Sequence, residues 1–255
     1  METSSIGPAE PVIRDIAGHL EQIASGMTAD GRPISAQGVV DVALLAVPHA
    51  QHVGVTLLRA DRSPRSAAVT DEVPQRLDEL QFELRDGPCL DAATGPPVLI
   101  TGDVGSDPRW PRYGPRCVAT SGVRSMLSLR LPIGGQDHAG LNFYSREVDA
   151  FSDDDVVPGS LLVPFVALVL EAELREEDVR NLNTALDSAR MISTAVGILM
   201  ATHKISRDDA FEALRRASMH LNTKLRNVAE HVELTGSLPT APAGRRPPDE
   251  RRTTR

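Results

Sequence analysis

The hydrophobic positions of this chain follow one period, switch to another, and then switch back. Over residues 12–24 the apolar Val12, Ile13, Ile16, Leu20 and Ile23 recur at helical spacing, and over residues 36–47 Val39, Val40, Ala43, Leu44 and Val47 repeat the pattern. Both stretches are predicted to be amphipathic helices. Residues 52–59 (HVGVTLLR) then read as a strand, paired across a turn at 61–65 with a second strand at 66–70. Helical spacing returns at Val73, Leu77, Leu80 and Leu84, so residues 72–84 are expected to be helical. Residues 97–101, 126–131 and 139–144 are strand-like, the last two joined by a turn at Gly134-Gly135-Gln136-Asp137, and residues 107–111 open a loop or short helix. This order predicts an α+β domain in which an antiparallel sheet carries flanking helices.

From residue 161 to residue 200 only Pro164 interrupts a helical reading. Val179, Leu182, Leu186 and Ala189 fall near the a and d positions of a two-stranded seam. Homodimerisation through this segment is the expectation. Three short helices are then packed into residues 186–232. The first presents Ile192, Ala195, Val196, Leu199 and Met200 on one stripe, with Gly197 among them. A mid-helix glycine costs about 1 kcal/mol relative to alanine, so close approach of another helix is its expected use. The second starts at Ser206, with Asp209 in a capping-box arrangement, and presents Ala210, Phe211, Leu214 and Ala217. Leu225, Val228, Ala229 and Val232 line the third, which Thr223 is expected to cap and Gly236 with Pro239 to end. Faces this small bury only against one another, which predicts an all-α three-helix bundle whose core includes Ala195, Ala210, Phe211 and Ala229.

The helices at 186–232 resemble the ANTAR domain, an RNA-binding module of bacterial antitermination regulators. That resemblance implies binding of RNA hairpins through polar residues, for which Arg190, Thr194, Arg215, Arg216, Asn222, Lys224 and Arg226 are the candidates. Asn222, Lys224 and Arg226 bracket a helix start, where unpaired N–H groups and the dipole favour phosphate. Arginine also stacks on unpaired bases and bonds their edges, which suits hairpin loops. Val196 stands where the family usually has a basic residue before the glycine.

The element order over residues 12–174 resembles a GAF domain, as do Leu84-Arg85-Asp86-Gly87-Pro88-Cys89-Leu90, Gly122-Val123-Arg124-Ser125-Met126 and Gly140-Leu141-Asn142-Phe143-Tyr144-Ser145. Such a domain implies an unidentified small-molecule ligand or a dimer interface. The expected organisation is therefore a GAF-like sensor domain at 12–174, an ANTAR three-helix RNA-binding domain at 175–238, and a basic disordered tail at 239–255. Together they imply a signal-responsive antitermination regulator.

Composition narrows the alternatives. The net charge is −8, which is unusual for a nucleic-acid binder, so its distribution matters. Residues 1–174 hold 13 basic and 24 acidic side chains, residues 175–238 hold 9 of each, and the tail holds 5 and 2. The acidity thus belongs to the N-terminal two-thirds, and the C-terminal third is open to RNA. Two cysteines, Cys89 and Cys117, are too few for a disulfide scaffold. No uncharged apolar run reaches 18 residues and no secretion signal opens the chain, so a cytoplasmic protein with no membrane partner is expected. Histidines without metal spacing and the lack of a Gly-rich phosphate loop call for neither metal nor cofactor, and no catalytic residue is assigned. Two other readings stand beside the regulator. Helices at 206–219 and 223–234 could form a DNA-binding helix-turn-helix, though Glu230, His231 and Glu233 suit that poorly. A GAF-type sulfoxide reductase would instead use Cys89 or Cys117.

Overall fold

The computed structural model describes Gly18, residues 35–60 and residues 62–239. The helix expected at 12–24, apart from Gly18, and the tail beyond residue 239 lie outside them. The chain divides into two compact units, one up to Glu176 and one from Glu177.

In the first unit, helix α1 (Ala36–Ala46) precedes the strands β1 (His52–Leu58) and β2 (Arg65–Val69). Ser35 starts α1, its hydroxyl accepting the Gly38 amide at 3.2 Å. Helix α2 (Glu72–Leu84) follows, then α3 (Pro88–Thr94), β3 (Val98–Thr101), α4 (Gly114–Ser121), β4 (Ser125–Leu131) and β5 (His138–Ser145). The five strands form one antiparallel sheet in the order β2-β1-β5-β4-β3, as the α+β pattern predicts.

Helix α3 was not anticipated, and the loop or short helix expected to open at 107–111 is a run of turns followed by α4 from Gly114. Each is short, and each carries proline or glycine at its start, so neither shows a helical repeat. Gly87 opens α3 at φ 146°, and a Cβ there would lie 2.3 Å from Gln81 Oε1. That same Gln81 oxygen accepts the Cys89 amide at 2.8 Å. The Gly-Pro-Cys sequence therefore exists to let α3 start against a glutamine of α2.

The two faces of the sheet differ. On one, Val53, Val55, Leu57, Leu127, Leu129, Leu141 and Phe143 pack with Val39, Val40 and Ala43 of α1 and with Leu162, Val166 and Leu170. These last three belong to helix α5 (Asp153–His203). Ser152 and Asp155 close its start, the Asp155 carboxylate accepting both the Ser152 amide at 2.9 Å and its hydroxyl at 3.1 Å. On the other face Tyr144 and Met126 meet Leu77, Leu80, Cys89, Trp110 and Tyr113.

Helix α5 contains an 18-residue window of mean hydropathy 1.7, long and apolar enough by length and composition to cross a membrane. Of that window 44% is buried, and Leu162, Val166 and Leu170 fill the core of the first unit.

The second unit contains the end of α5, helix α6 (Arg207–His220) and helix α7 (Leu225–Thr235). Ala195, Val196, Leu199, Ala210, Leu214, Val228, Ala229 and Val232 form its core. Alanines at three of these positions are fully buried, which lets three short helices close around so small a centre. Three details differ from the sequence reading. Met200 and Phe211, expected inside, are 36% and 41% exposed. Gly197 is exposed, and a Cβ added there would meet nothing within 4 Å, so no helix among the described residues packs against it.

Candidate nucleic-acid interface

All seven residues singled out for RNA contact are solvent-exposed. They fall into three local groups. Arg190 and Thr194 stand one turn apart on α5, where the Thr194 hydroxyl donates to the Arg190 carbonyl at 3.1 Å. Arg215 and Arg216 are adjacent on α6. Asn222, Lys224 and Arg226 surround the turn into α7.

Helix α6 starts as its sequence predicts. Ser206 Oγ accepts the Asp209 amide at 3.1 Å, and its hydroxyl donates to Asp209 Oδ2 at 2.7 Å. Its end is a two-bond αL stop: the Asn222 amide donates to the Met219 carbonyl at 3.3 Å, and the Thr223 amide to the Ser218 carbonyl at 3.0 Å. Asn222 supplies the left-handed residue at φ 48°. Thr223 does not cap α7 as expected, because its hydroxyl donates to the Leu221 carbonyl at 3.1 Å. Lys224 occupies the N-cap position without a side-chain cap. The first turn of α7 therefore presents backbone N–H groups that no capping side chain covers, flanked by the ammonium of Lys224 and the guanidinium of Arg226.

The arginines differ in how freely they are held. Glu212 grips Arg215 through Nε at 2.9 and 3.1 Å and through Nη2 at 2.9 Å. Arg215 hydrogen bonds hold the Glu212 carboxyl below its ordinary range, and the carboxylate in turn raises the guanidinium pKa. Arg190, Arg216, Lys224 and Arg226 have no ion pair among the described residues. Sequence reasoning passed over two further exposed cations, Lys204 and Arg207, at the junction of α5 and α6. Lys204 lies in the αL region at φ 56°, and only the break in helical pattern at 204–206 marked the place.

In the first unit the polar chemistry is interior. Asp78 of α2 is 1% exposed and accepts the hydroxyls of Thr56 at 2.7 Å and Ser66 at 2.6 Å. Burial raises its pKa to about 6, against the opposing pull of those two hydroxyls. Asn142 Nδ2 donates to Thr56 Oγ1 at 2.9 Å, while Asn142 Oδ1 and Ser128 Oγ, neighbours across β4 and β5, are buried with no hydrogen-bond partner among the described residues. A cleft of about 340 Å³ opens beside this cluster, lined by Gln37, Arg65, Ser66, Gln75, Glu79 and Phe82 among others. Ser66 thus faces the cleft and holds Asp78.

Neither cysteine is poised for thiol chemistry. Cys89 is fully buried with its sulfur 3.3 Å from the Tyr144 hydroxyl, and burial pushes its pKa far above the ordinary thiol range. Burial likewise raises Cys117 to about 11. A nucleophilic thiol needs the opposite shift.

Comparison with known proteins bears on the C-terminal helices most directly. Residues 180–232 match the family model described as the ANTAR domain. Over 92 residues, 36% of this chain, the sequence is 32% identical to the transcriptional regulatory protein PdtaR of Mycobacterium tuberculosis, in each of two strains. The match spans 44% of the length of those relatives. Among solved structures, the GAF domain of a phosphoenolpyruvate-protein phosphotransferase from Coxiella burnetii is similar, with a TM-score of 0.49 at 12% identity. That match covers 68% of this chain and 99% of that one. A free methionine-R-sulfoxide reductase from Neisseria meningitidis, solved with its substrate, gives 0.46 at 15% identity, covering 69% of this chain and 98% of that one. The C-terminal unit carries an ANTAR domain.

Proposed function

We propose that this protein is a signal-responsive regulator of transcription antitermination that binds RNA hairpins as a homodimer. The observation that carries the reading is the ANTAR match over residues 180–232, which falls on a three-helix bundle with all seven polar candidates exposed. Arg190, Arg216, Lys224 and Arg226 are not committed to acidic partners and are available for phosphate. Lys224, Arg226 and the uncapped start of α7 combine charge with a helix N-terminus, while Arg190 and Thr194 offer a second contact. Binding of a hairpin loop here would compete with formation of a terminator in the nascent transcript.

Two units on one RNA element require a dimer. Val179, Leu182 and Leu186 are 57%, 60% and 59% exposed, and with Ala189 they follow 3-4-3 spacing. A stripe of that period is self-complementary, so a second copy of the helix is its natural cover. The sensing role rests on the cleft beside Ser66, whose hydroxyl connects it to the buried Asp78. A small ligand there would act only by preferring one arrangement of the dimer over another.

The test is binding of the purified protein to a tandem short-hairpin RNA and to duplex DNA of equal length across a salt series. Loop-dependent RNA binding that weakens in Arg190→Ala and Lys224→Ala supports the reading. Equal, wholly salt-driven binding to both nucleic acids refutes it and returns the helix-turn-helix alternative.

A further inference from the structure

Phe211 is out of place for a packing residue. Its neighbours Ala210 and Leu214 are fully buried, yet Phe211 itself is 41% exposed on the flank of α6. One turn on stands Arg215, and one turn beyond that Met219, 64% exposed, with its sulfur 3.8 Å from Arg215 Nη1. The guanidinium is held by two carboxylate oxygens of Glu212, which fixes it beside the thioether, one helical turn from Phe211. Arg207 is exposed one turn before Phe211. The flank is therefore an aromatic face, a fixed guanidinium plane and a polarisable sulfur in succession, with arginines along it.

We infer that Phe211 and Arg215 form a stacking platform for an unpaired base of the RNA loop, with Met219 extending its apolar edge. The inference rests on the RNA-binding reading above and adds a contact that phosphate-directed cations do not supply. An aromatic ring accepts the face of any base, and a guanidinium stacks on bases as well as pairing with phosphate. A protein partner fits the flank less well, because α6 offers one ring and one thioether between charges rather than a continuous apolar stripe.

The discriminating experiment measures hairpin affinity of the full chain carrying Phe211→Ala, Phe211→Leu or Phe211→Trp, against salt, with thermal melts as the check on folding. Loss of a base–aromatic stack lowers affinity by about tenfold or more. That loss is expected in both the Ala and Leu variants, with the salt slope unchanged because no phosphate contact is removed. The Trp variant is expected to bind at least as tightly as the parent. An abasic nucleotide at the stacked loop position should erase the difference between parent and Phe211→Ala. Parent-like binding by Phe211→Leu overturns the platform and leaves RNA binding intact. If the parent fails to bind the hairpin at all, the functional reading and the platform fall together.

Discussion

Ser218 and Thr223 are joined twice across the turn between α6 and α7. The Thr223 amide donates to the Ser218 carbonyl at 3.0 Å, and the Ser218 hydroxyl returns a bond to the Thr223 carbonyl at 2.6 Å. Asn222 sits inside this loop at φ 48°. The residue with a candidate RNA role is thus also the residue that lets the chain reverse.

These two roles separate by substitution. Asn222→Gly keeps the left-handed conformation and should leave the melting temperature unchanged or slightly raised. Asn222→Ala should destabilise by about 1 kcal/mol, the penalty for a Cβ in that region. Ser218→Ala should lose a comparable amount with its hydrogen bond. If Asn222→Gly melts like the parent but binds hairpin RNA less well, the amide touches RNA; parent-like binding confines Asn222 to the turn.

The buried carboxyl of Asp78 predicts that the stability of the first unit responds to pH. Asp78 has a folded pKa near 6 against an ordinary 3.8, because burial disfavours its charge. A raised folded pKa contributes stability that is complete below the unfolded value and is lost as pH rises through the folded one. The loss between about pH 4 and pH 7 is on the order of 3 kcal/mol. Asp78→Asn removes the charge and should flatten the dependence, melting higher than the parent at pH 7.5 and no higher at pH 4.5. A parent whose stability rises from pH 4.5 to 7.5 by the amount seen in the variant would exclude Asp78 as the source.

The sheet was legible because its strands alternate or run apolar between clear turns. His52–Leu58, Ser125–Leu131 and His138–Ser145 fall within a residue or two of the expected spans. Pro88–Thr94 was not legible, since a seven-residue helix has no repeat to read and its start depends on Gln81, eight residues from Cys89. In the C-terminal unit, spacing identified Ala195, Ala210 and Ala229 as core, and all three are fully buried. The same spacing misassigned Phe211, because a bundle centred on alanines leaves the edge of its stripe without a partner wide enough to cover a ring. Candidate cations were readable as residue types, whereas the Glu212 grip on Arg215 and the uncapped start of α7 are visible only in three dimensions.

The exposed seam predicts its own disruption. Leu182→Asp with Leu186→Asp places two charges where a second helix would pack, while both native side chains stand outside the bundle core. The variant should sediment as a monomer and retain the helicity of the parent. An unchanged assembly state, or a parent that is itself monomeric at micromolar concentration, removes this helix as the dimer interface.

Gly197 offers a test in which stability and binding move in opposite directions. Glycine inside a helix is destabilising by about 0.5–1 kcal/mol relative to alanine unless something requires the missing Cβ. Among the described residues nothing does, since a Cβ at Gly197 meets nothing within 4 Å outside its own helix turn. It lies on the exposed face that carries Arg190 and Thr194, three residues beyond the threonine. A backbone left bare beside an arginine and a hydroxyl suits close approach by an external chain. Gly197→Ala is therefore expected to raise the melting temperature, by roughly the helix-propensity difference, and to weaken hairpin binding. A variant that is both more stable and equally tight would show that the glycine does not serve the RNA surface, and Arg190 would then act without close backbone contact at this turn.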